Sequence, residues 1–473
     1  MNNLVIDLTH GGVKIAISLA KKGEKTYAYD IYNTLNDIDR KMLDVYNVDV
    51  IELTDLDKLN GDLKVIYPVH LPLTNDEIKS YNTNLNYTFK THHEIIKEIL
   101  NEWGEDIIKI EVTGVKGKTS SVFMLKEILI NENPLILSSL GALLYENKRE
   151  IILKKDISIT PANIKETIDL AYKIANPICK IAEGICESEN LKKYSSAIFE
   201  SSLGVSGIGD VGLLTNIVEN YPIAKNKSTA SAAKKQVFNC KSVVCEKESY
   251  DKYYSDIKHP KLNTFSTKNN NANLYCENID YDLNKTKIDI IYKDVKTVYN
   301  KKLSGKLTLK TFAPGKYHVK NVLGVVLTCL TLEIDTEKII NGLKNYNGIP
   351  GRTNKKIIKN STIIEEINPG INTQAIKKSV EMISNLENYL ISIGGDYGIT
   401  CEEIDETKLV KYLNTLKTDI ILTGDVGFSI HKKLNKKHQY LENYTDVYDL
   451  AIENNKNLLF IYRSSYNKIS QRW

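Results

Sequence analysis

A short glycine-rich loop is the part of this sequence best suited to bind a nucleotide. It reads Gly114-Val115-Lys116-Gly117-Lys118-Thr119 and joins an apolar run at 107–112, which predicts a strand, to a predicted helix that Ser120 opens. Glycines let backbone N–H groups face the β- and γ-phosphates, and the start of a helix adds positive potential. We therefore expect the loop to bind ATP, with Lys118 reaching the phosphates and the Thr119 hydroxyl coordinating Mg²⁺. The Lys-Thr pair and the strand-to-helix setting disfavour a chance match.

Glu200 could supply a second ligand for the metal ion. It directly follows an apolar run at 196–199 that predicts a strand. A carboxylate at the carboxyl end of a strand beside a phosphate-binding loop can coordinate Mg²⁺. Taken alone, Glu200 would be interpreted as a solvated residue at the end of a strand, so its assignment depends on the motifs around it.

The N-terminal stretch predicts a Rossmann-like unit. An apolar run at 4–8 leads to His10-Gly11-Gly12, a helix is predicted at 13–22, and a second strand at 26–29 is closed by Asp30. This order of strand, glycine turn, helix and strand is typical of Rossmann-like domains. The turn lacks the Gly-x-Gly-x-x-Gly fingerprint, which disfavours dinucleotide binding.

The length of 473 residues suggests about three domains. Alternating strands and helices predict an α/β fold, and short β-pieces predict an antiparallel insertion near 270–310. We expect a Rossmann-like, substrate-binding N-terminal domain at 1–92, a central P-loop ATP-binding domain at 93–347, and a Rossmann-like C-terminal domain at 348–473. The strands expected in the last domain are 356–365, 389–393, 419–422 and 458–462.

Composition excludes several classes of function. A formal net charge of +4 gives no electrostatic case for nucleic-acid binding. No apolar stretch approaches the roughly 18 residues of a membrane span, and the N-terminus lacks the layout of a signal peptide, so we expect a cytoplasmic protein. The 7 cysteines lack the paired spacing of a zinc site and are expected to be reduced thiols.

The loop, in its short form Thr-Gly-x-x-Gly-Lys-Thr, is similar to that of the Mur ligases and folylpolyglutamate synthases. Further segments resemble that family's landmarks in the same order: Glu200-Ser201-Ser202, Ala232-Ala233-Lys234, Gly315 to Asn321, and Gly348-Ile349-Pro350-Gly351-Arg352. The resemblance implies a three-domain Mur-ligase architecture in which Glu200 holds Mg²⁺ and Asn321 contacts the nucleotide. It also implies that Arg352 reaches the γ-phosphate and that a carbamylated Lys234 holds a second Mg²⁺.

Each of these implied roles has a plainer alternative. Lys234 could be a surface lysine on a helix, Lys235 could be the true match, and Asn321 could merely cap its helix. Two departures from the family pattern also matter. Tyr221, or Asn220 beside it, stands where the family has a metal-binding His, and 364–370 lacks the family's Asp and His. The second departure weakens the case for ordinary peptide-bond formation.

Three further segments, 7–14, 91–94 and 368–372, make the chain resemble the archaeal coenzyme F(430) synthetase family of Mur-like enzymes. The resemblance implies ATP-dependent activation of a propionate of the nickel tetrapyrrole seco-F(430), followed by attack of a carbon atom of the same molecule. We expect His10, Gly11, Gly12, His92 and His93 near this substrate, because imidazole can ligate nickel or donate hydrogen bonds. Buried or solvated histidines are the alternative. Rival functions are an amide-forming ligase, such as a pseudomurein peptide ligase or an amino-acid-adding enzyme, and a non-catalytic P-loop tetrapyrrole carrier.

Overall fold

Three larger β-sheets with flanking helices organise this chain. The computed structural model describes residues 2–175, 194–282, 284–383, 388–398 and 403–470. One unit comprises Met1–Asp280, Lys287–Lys310 and Lys316–Asn345, and the other comprises Tyr281–Thr286, Thr311–Gly315 and Tyr346–Trp473. The predicted α/β class is confirmed, whereas a domain boundary after residue 92 stays a prediction.

The N-terminal part of the first unit is a parallel sheet of five strands in the order β3-β2-β1-β4-β5. Its elements are β1 (Asn2–Ile6), a π-helical turn (Leu8–Gly12), α1 (Val13–Lys21), β2 (Thr26–Tyr29), α2 (Asp37–Val45), β3 (Asp49–Val50), a 3₁₀ turn (Leu53–Lys58), β4 (Asp62–Tyr67), α3 (Asn75–Lys79) and β5 (Asn86–Thr91). Because β2 and β4 flank β1 on opposite sides, the strand order reverses there. The carboxyl ends of β1 and β4 therefore border the crevice where such sheets bind ligands.

Sequence patterns misplace some of these elements. The strand predicted at 4–8 ends at Ile6, because Asp7 turns the chain with a φ of 73°. β3 is only two residues long, Asp49–Val50. The polar segment 75–91 contains β5, an edge strand in which every residue is exposed or half-buried.

The central part of the first unit is a sheet of 11 strands in the order β18-β17-β16-β15-β14-β11-β6-β10-β7-β8-β9. Its middle strands are parallel, while β7-β8-β9 and β16-β17 pair antiparallel. The elements that carry the phosphate loop are β6 (Ile108–Thr113) and α5 (Lys118–Ile128). The pieces predicted near 270–310 as an insertion are thus strands that extend one end of this sheet.

The remaining elements of the first unit surround that centre. In chain order they are α4 (His92–Ile99), β7 (Leu135–Ser138), β8 (Gly141–Glu146), β9 (Arg149–Lys154), α6 (Pro161–Ala175), β10 (Ser196–Glu200), β11 (Val211–Leu214), β12 (Pro222–Ile223), β13 (Ser228–Thr229), α7 (Ala230–Lys234), β14 (Ser242–Glu246), α8 (Lys247–Tyr253), β15 (Leu262–Ser266), β16 (Leu274–Asp280), β17 (Thr286–Lys296), β18 (Lys302–Thr311), α9 (Lys316–Thr331) and α10 (Thr336–Asn345). Single 3₁₀ turns occupy Ile130–Glu132 and Lys235–Asn239.

The second unit is built on a six-stranded sheet in the order β19-β20-β24-β21-β22-β23, which is parallel apart from the β19-β20 hairpin. Its elements are β19 (Asn354–Ile358), β20 (Ser361–Ile367), α11 (Thr373–Ile383), β21 (Tyr389–Gly395), α12 (Glu406–Leu413), β22 (Ile420–Thr423), α13 (Gly424–His431), β23 (Gln439–Leu441), α14 (Tyr444–Glu453), β24 (Asn457–Arg463) and α15 (Tyr466–Ser470). The single strand predicted at 356–365 is wrong, because these residues form the hairpin.

Two expectations drawn from composition concern the chain as a whole. Among the described residues, no helix has both the length and the apolar character that a bilayer crossing requires. Cys240, Cys245, Cys276 and Cys329 are free thiols in the structure. The other cysteines, Cys179, Cys186 and Cys401, lie outside the described residues.

Candidate functional site

The glycine-rich loop lies between β6 and α5, at the carboxyl end of a strand inside the central sheet, between β11 and β10. Gly114 and Gly117 have φ values of 141° and 85°, which only glycine adopts without strain. A Cβ atom on Gly114 would lie 2.0 Å from Oγ1 of Thr215, so the close approach of β11 also requires glycine there. The Lys118 ammonium donates to the Gly114 carbonyl at 3.1 Å, which holds the lysine side chain over the loop.

The loop is fixed from one side by the residues that follow β11. The Lys116 N–H donates to Oδ1 of Asn216 at 3.1 Å, and the Thr215 hydroxyl donates to the Lys116 carbonyl at 2.7 Å. These bonds connect the loop backbone to the residues after β11. The backbone is thereby held in shape before a nucleotide binds, which lowers the ordering cost of binding.

Glu200 lies beside the loop because β10 is the parallel neighbour of β6. Its carboxylate accepts a hydrogen bond from the Thr119 hydroxyl at 3.0 Å and another from the Ser139 N–H at 3.0 Å. Thr119 and Glu200 are both about 1% exposed. The structure thus brings together the hydroxyl and the carboxylate that the sequence analysis assigned to Mg²⁺.

Lys234 ends α7 and is fully buried. Its ammonium donates to the Ser202 carbonyl at 2.5 Å and stands 5.8 Å from the ring centre of Tyr221. Burial lowers the pKa of Lys234 from 10.5 to about 7, and the positive charge of Lys118 adds to this effect. A neutral amine is the form that can react with CO₂. Lys235, the alternative match to the family's lysine, is exposed and does not share this buried position.

Asn321 belongs to the interior of α9 and is 5% exposed. A Cβ atom on Gly117 would lie 2.1 Å from Oδ1 of Asn321, so the amide packs directly on the loop backbone. The expected alternative role of helix cap does not fit this position, because α9 begins five residues earlier, at Lys316. Contact of Asn321 with the nucleotide stays a prediction.

Glu111 is a buried carboxylate that the sequence analysis does not identify. It lies in β6 and accepts hydrogen bonds from the Ser206 N–H and hydroxyl, both at 2.7 Å, and from the N–H groups of Gly207 at 2.8 Å and Gly209 at 3.1 Å. The segment it holds links β10 to β11, the two neighbours of β6. Glu111 therefore fixes the connection behind the phosphate loop.

We expect Glu111→Ala to lower the free energy of unfolding by about 3–5 kcal/mol, since three backbone N–H groups and the Ser206 hydroxyl, among other donors, lose their buried acceptor. Urea unfolding followed by circular dichroism measures this change. The matched control is Glu105→Ala, on an exposed glutamate just before the same strand, which should leave the unfolding midpoint unchanged. Equal effects of the two substitutions would show that Glu111 does not support the loop.

His10, Gly11 and Gly12 form the turn after β1. Gly11 has a φ of 100°, and a Cβ atom on it would lie 2.5 Å from Cβ of Ala162 in α6. A Cβ atom on Gly12 would lie 2.2 Å from the Asp7 carbonyl oxygen. The two glycines are therefore required by close packing, while the His10 side chain is 44% exposed.

His92 and His93 open α4 and are 2% and 3% exposed. The Ile6 carbonyl accepts a hydrogen bond from Nε2 of His92 at 3.0 Å. Burial lowers the pKa of His92 to about 4 and that of His93 to about 3, so both rings are neutral at physiological pH. Neither ring presents a face to solvent, and the second imidazole at the surface near His10 belongs to His70.

Arg352 lies in the second unit, in the turn between Gly348 and β19. Gly348 and Gly351 have φ values of 89° and 76°, and the Arg352 N–H donates to the Ile349 carbonyl at 3.0 Å. Burial raises the pKa of Glu366 to about 7, although hydrogen bonds from Thr353 and the charge of Arg352 oppose this rise. The motif Gly-x-Pro-Gly-Arg thus forms a tight turn that leaves Arg352 exposed.

Comparison with known proteins adds a family context to this geometry. Residues 355–465 match the family model described as the C-terminal domain of the coenzyme F430 synthetase CfbE. The coenzyme F(430) synthetase of Methanocaldococcus jannaschii is 26% identical over 454 residues, which cover 94% of this chain and 95% of that protein. That of Methanosarcina acetivorans is 25% identical over 450 residues, 89% of each chain.

Solved structures of Mur ligases share the fold. MurF from Acinetobacter baumannii superposes with a TM-score of 0.57 at 13% identity, covering 86% of this chain and 83% of that one. MurF ligase from Thermotoga maritima, crystallised with ADP, superposes with a TM-score of 0.53 at 13% identity, covering 89% of this chain and 97% of that one. The resemblance stated from the motifs is confirmed: the chain has the fold of the Mur ligase superfamily and, in sequence, resembles the coenzyme F(430) synthetases.

Proposed function

We propose that this chain is an ATP-dependent ligase that activates a carboxylate of its substrate as an acyl phosphate. The observation that carries the proposal is the convergence of Lys118, Thr119, Glu200 and Lys234 at one end of the central sheet. A nucleotide carrier needs a phosphate loop. It does not need a buried carboxylate that is hydrogen-bonded to Thr119, nor a buried neutral lysine such as Lys234. The convergence of these groups therefore favours phosphoryl transfer over simple nucleotide binding.

The residues around Thr119 fit a magnesium ion. The Thr119 hydroxyl and the Glu200 carboxylate are oxygen donors 3.0 Å apart, and oxygen ligands of this kind are those that Mg²⁺ prefers. Bound there, Mg²⁺ would neutralise charge on the phosphate oxygens of ATP. Lys118 would hold the phosphates from the loop side. The assignment of Arg352 to the same phosphoryl group depends on its motif alone.

Lys234 is proposed to act as a carbamate. A carbamylated lysine carries an anionic carboxylate, and the Ser202 carbonyl and the ring of Tyr221 hold the side chain in one place. The family's metal-binding His is replaced by Tyr221, so a second metal ion would need other ligands. Asn220 does not offer its amide oxygen freely, because that oxygen accepts the Ser231 N–H at 2.8 Å.

We propose seco-F(430), a nickel tetrapyrrole carboxylate, as the substrate, on the strength of the similarity to proteins named coenzyme F(430) synthetase. A substrate carboxylate oxygen would attack the γ-phosphorus of ATP and release ADP. A carbon atom of the same molecule would then lose its proton, attack the acyl carbon and displace phosphate, which closes the carbocyclic ring of coenzyme F(430). Such a reaction binds no separate amine, in keeping with the missing Asp and His at 364–370.

The crevice at the ends of β1 and β4 is the proposed place for part of this substrate. His10 lies at its surface, while Gly11 and Gly12 shape the turn and His92 and His93 support it from inside. Direct contact with the substrate is therefore assigned to His10. The two glycines and the two buried histidines would position the His10 side chain.

An ADP-release assay tests the proposed function. The full-length chain is incubated with ATP and Mg²⁺, and seco-F(430) alone is compared with seco-F(430) plus mixed amino acids. We expect ADP release and ring closure with the tetrapyrrole alone, in a one-to-one ratio. ADP release that requires an added amino acid would contradict ring closure and support an amide-forming ligase, and tetrapyrrole binding without ADP release would support a carrier.

A further inference from the structure

A cluster of two histidines and one aspartate lies at the carboxyl ends of β1 and β4. Asp7 follows β1, His10 belongs to the turn after it, and His70 follows β4. We propose that Asp7, His10 and His70 form a binding site for one divalent transition-metal ion of the zinc or nickel type. The proposal goes beyond the phosphate-loop magnesium and does not depend on the ligase reaction.

The donor atoms are spaced as a metal ion would require. Nδ1 of His10 lies 2.7 Å from Oδ2 of Asp7, Nε2 of His70 lies 3.4 Å from the same oxygen, and the two nitrogens are 3.3 Å apart. Ligand atoms around a tetrahedral ion with bonds of about 2.0–2.1 Å stand about 3.3 Å from one another. An ion placed above this triangle would therefore reach all three atoms with small side-chain adjustments.

The backbone fixes the aspartate for this role. Oδ1 of Asp7 accepts the N–H groups of Thr9 at 3.0 Å and His10 at 3.3 Å, which leaves Oδ2 directed at the imidazoles. Asp7 itself has a φ of 73°, a conformation that costs a non-glycine residue free energy and clusters at functional sites. Its side chain is fully buried, whereas those of His10 and His70 are 44% and 23% exposed. The cluster is thus open to solvent on the histidine side.

The chemistry of the three donors indicates which kind of ion would bind. Two imidazoles and one carboxylate make a donor set that favours zinc or nickel over Mg²⁺, which prefers oxygen ligands alone.

The geometry also distinguishes a free ion from the nickel of a tetrapyrrole. Four macrocycle nitrogens already surround such a nickel ion, which leaves one axial position for the protein on each face. Three donors within 3.4 Å of one another match a free ion that still has several open positions. With three protein ligands, a tetrahedral ion keeps a fourth position for water or for an anionic oxygen of a bound molecule.

Metal titration of the full-length, tag-free protein tests the site. After treatment with a chelator, the chain is titrated with Zn²⁺, Ni²⁺ and Co²⁺ in excess Mg²⁺, and bound ions are counted by mass spectrometry of the metal. We expect one ion per chain and a Co²⁺ spectrum with the strong visible bands of four-coordinate cobalt. His10→Ala and His70→Ala should each weaken binding by at least roughly tenfold.

His431→Ala is the matched control, because His431 lies on α13, outside the cluster, and its removal should leave the affinity unchanged. Circular dichroism confirms that each variant folds, and both histidine substitutions remove partly exposed rings. Absence of stoichiometric binding, or equally tight binding by the double variant His10→Ala/His70→Ala, would overturn the proposal. Tetrapyrrole binding that needs His10 in a chain that binds no free ion would also overturn it while leaving the ligase proposal intact.

Discussion

Lys118→Ala is expected to reduce the rate of ATP turnover by about a hundred- to a thousandfold, the loss typical when one preorganised charge on a transferring group is removed. The Lys118 ammonium is held over the loop by the Gly114 carbonyl. Without it, neither the ground-state phosphates nor the charge that develops on them has a cationic partner there. Steady-state ADP release with saturating substrate measures the loss as a change in kcat.

Lys116→Ala is the control within the same loop. The Lys116 residue is exposed, and the loop uses its backbone N–H and carbonyl, which alanine retains. We expect a change of about twofold at most, since an isolated exposed charge contributes little. If Lys118→Ala turns over ATP as fast as Lys116→Ala does, the loop is not the phosphate site and the proposed function fails with it.

The phosphate loop could be predicted from sequence because its parts are contiguous. A strand, two glycines, Lys118 and Thr119 follow one another within a dozen residues, and local backbone preferences fix their arrangement. Glu200 is different. It stands 81 residues beyond Thr119, and only the pairing of β10 with β6 brings the two together. Sequence periodicity does not determine strand order, so only the resemblance to a family pointed to this pair.

The residues that the sequence analysis missed share a physical cause. Glu111 accepts three of its hydrogen bonds from backbone N–H groups, which leave no signature in side-chain types. His70 lies 60 residues from His10 in the sequence, and no local motif around either residue indicates that the two meet. Their meeting is set by the position of β4 beside β1 in the sheet.

The β19-β20 hairpin was missed for a local reason. Its turn places Lys359 at a φ of 52°, without the glycine or the Asn-Gly pair that usually marks a tight hairpin. An uninterrupted run of strand-forming residues on both sides then predicts one long strand. His92 and His93 open α4 after its Thr91 cap, and both rings are buried. Their place near the substrate stays a prediction.

Lys234→Met is expected to abolish most activity while making the protein more stable. Methionine cannot be carbamylated, so the proposed anionic ligand is lost, and we expect ADP release to fall by about a hundredfold or more. The neighbouring Lys235 is exposed, so Lys235→Met serves as the control for position and charge and should retain normal turnover. Addition of bicarbonate should raise the activity of a CO₂-depleted native chain and leave that of Lys234→Met unchanged.

The stability gain follows from the direction of the pKa shift. Burial holds the pKa of Lys234 at about 7, against 10.5 when exposed, so between these values the unfolded chain binds one proton more than the folded chain. Native stability therefore rises with pH across this window, and the penalty for the buried amine is fully present below pH 7. In CO₂-free buffer at pH 6, we expect the free energy of unfolding of Lys234→Met to exceed that of the native chain by about 2–4 kcal/mol. This figure allows for the lost hydrogen bond to the Ser202 carbonyl. This gain in stability should shrink towards pH 10, and urea unfolding at pH 6 and at pH 10 measures it. An equal gain at both pH values would mean that the fold does not hold Lys234 neutral.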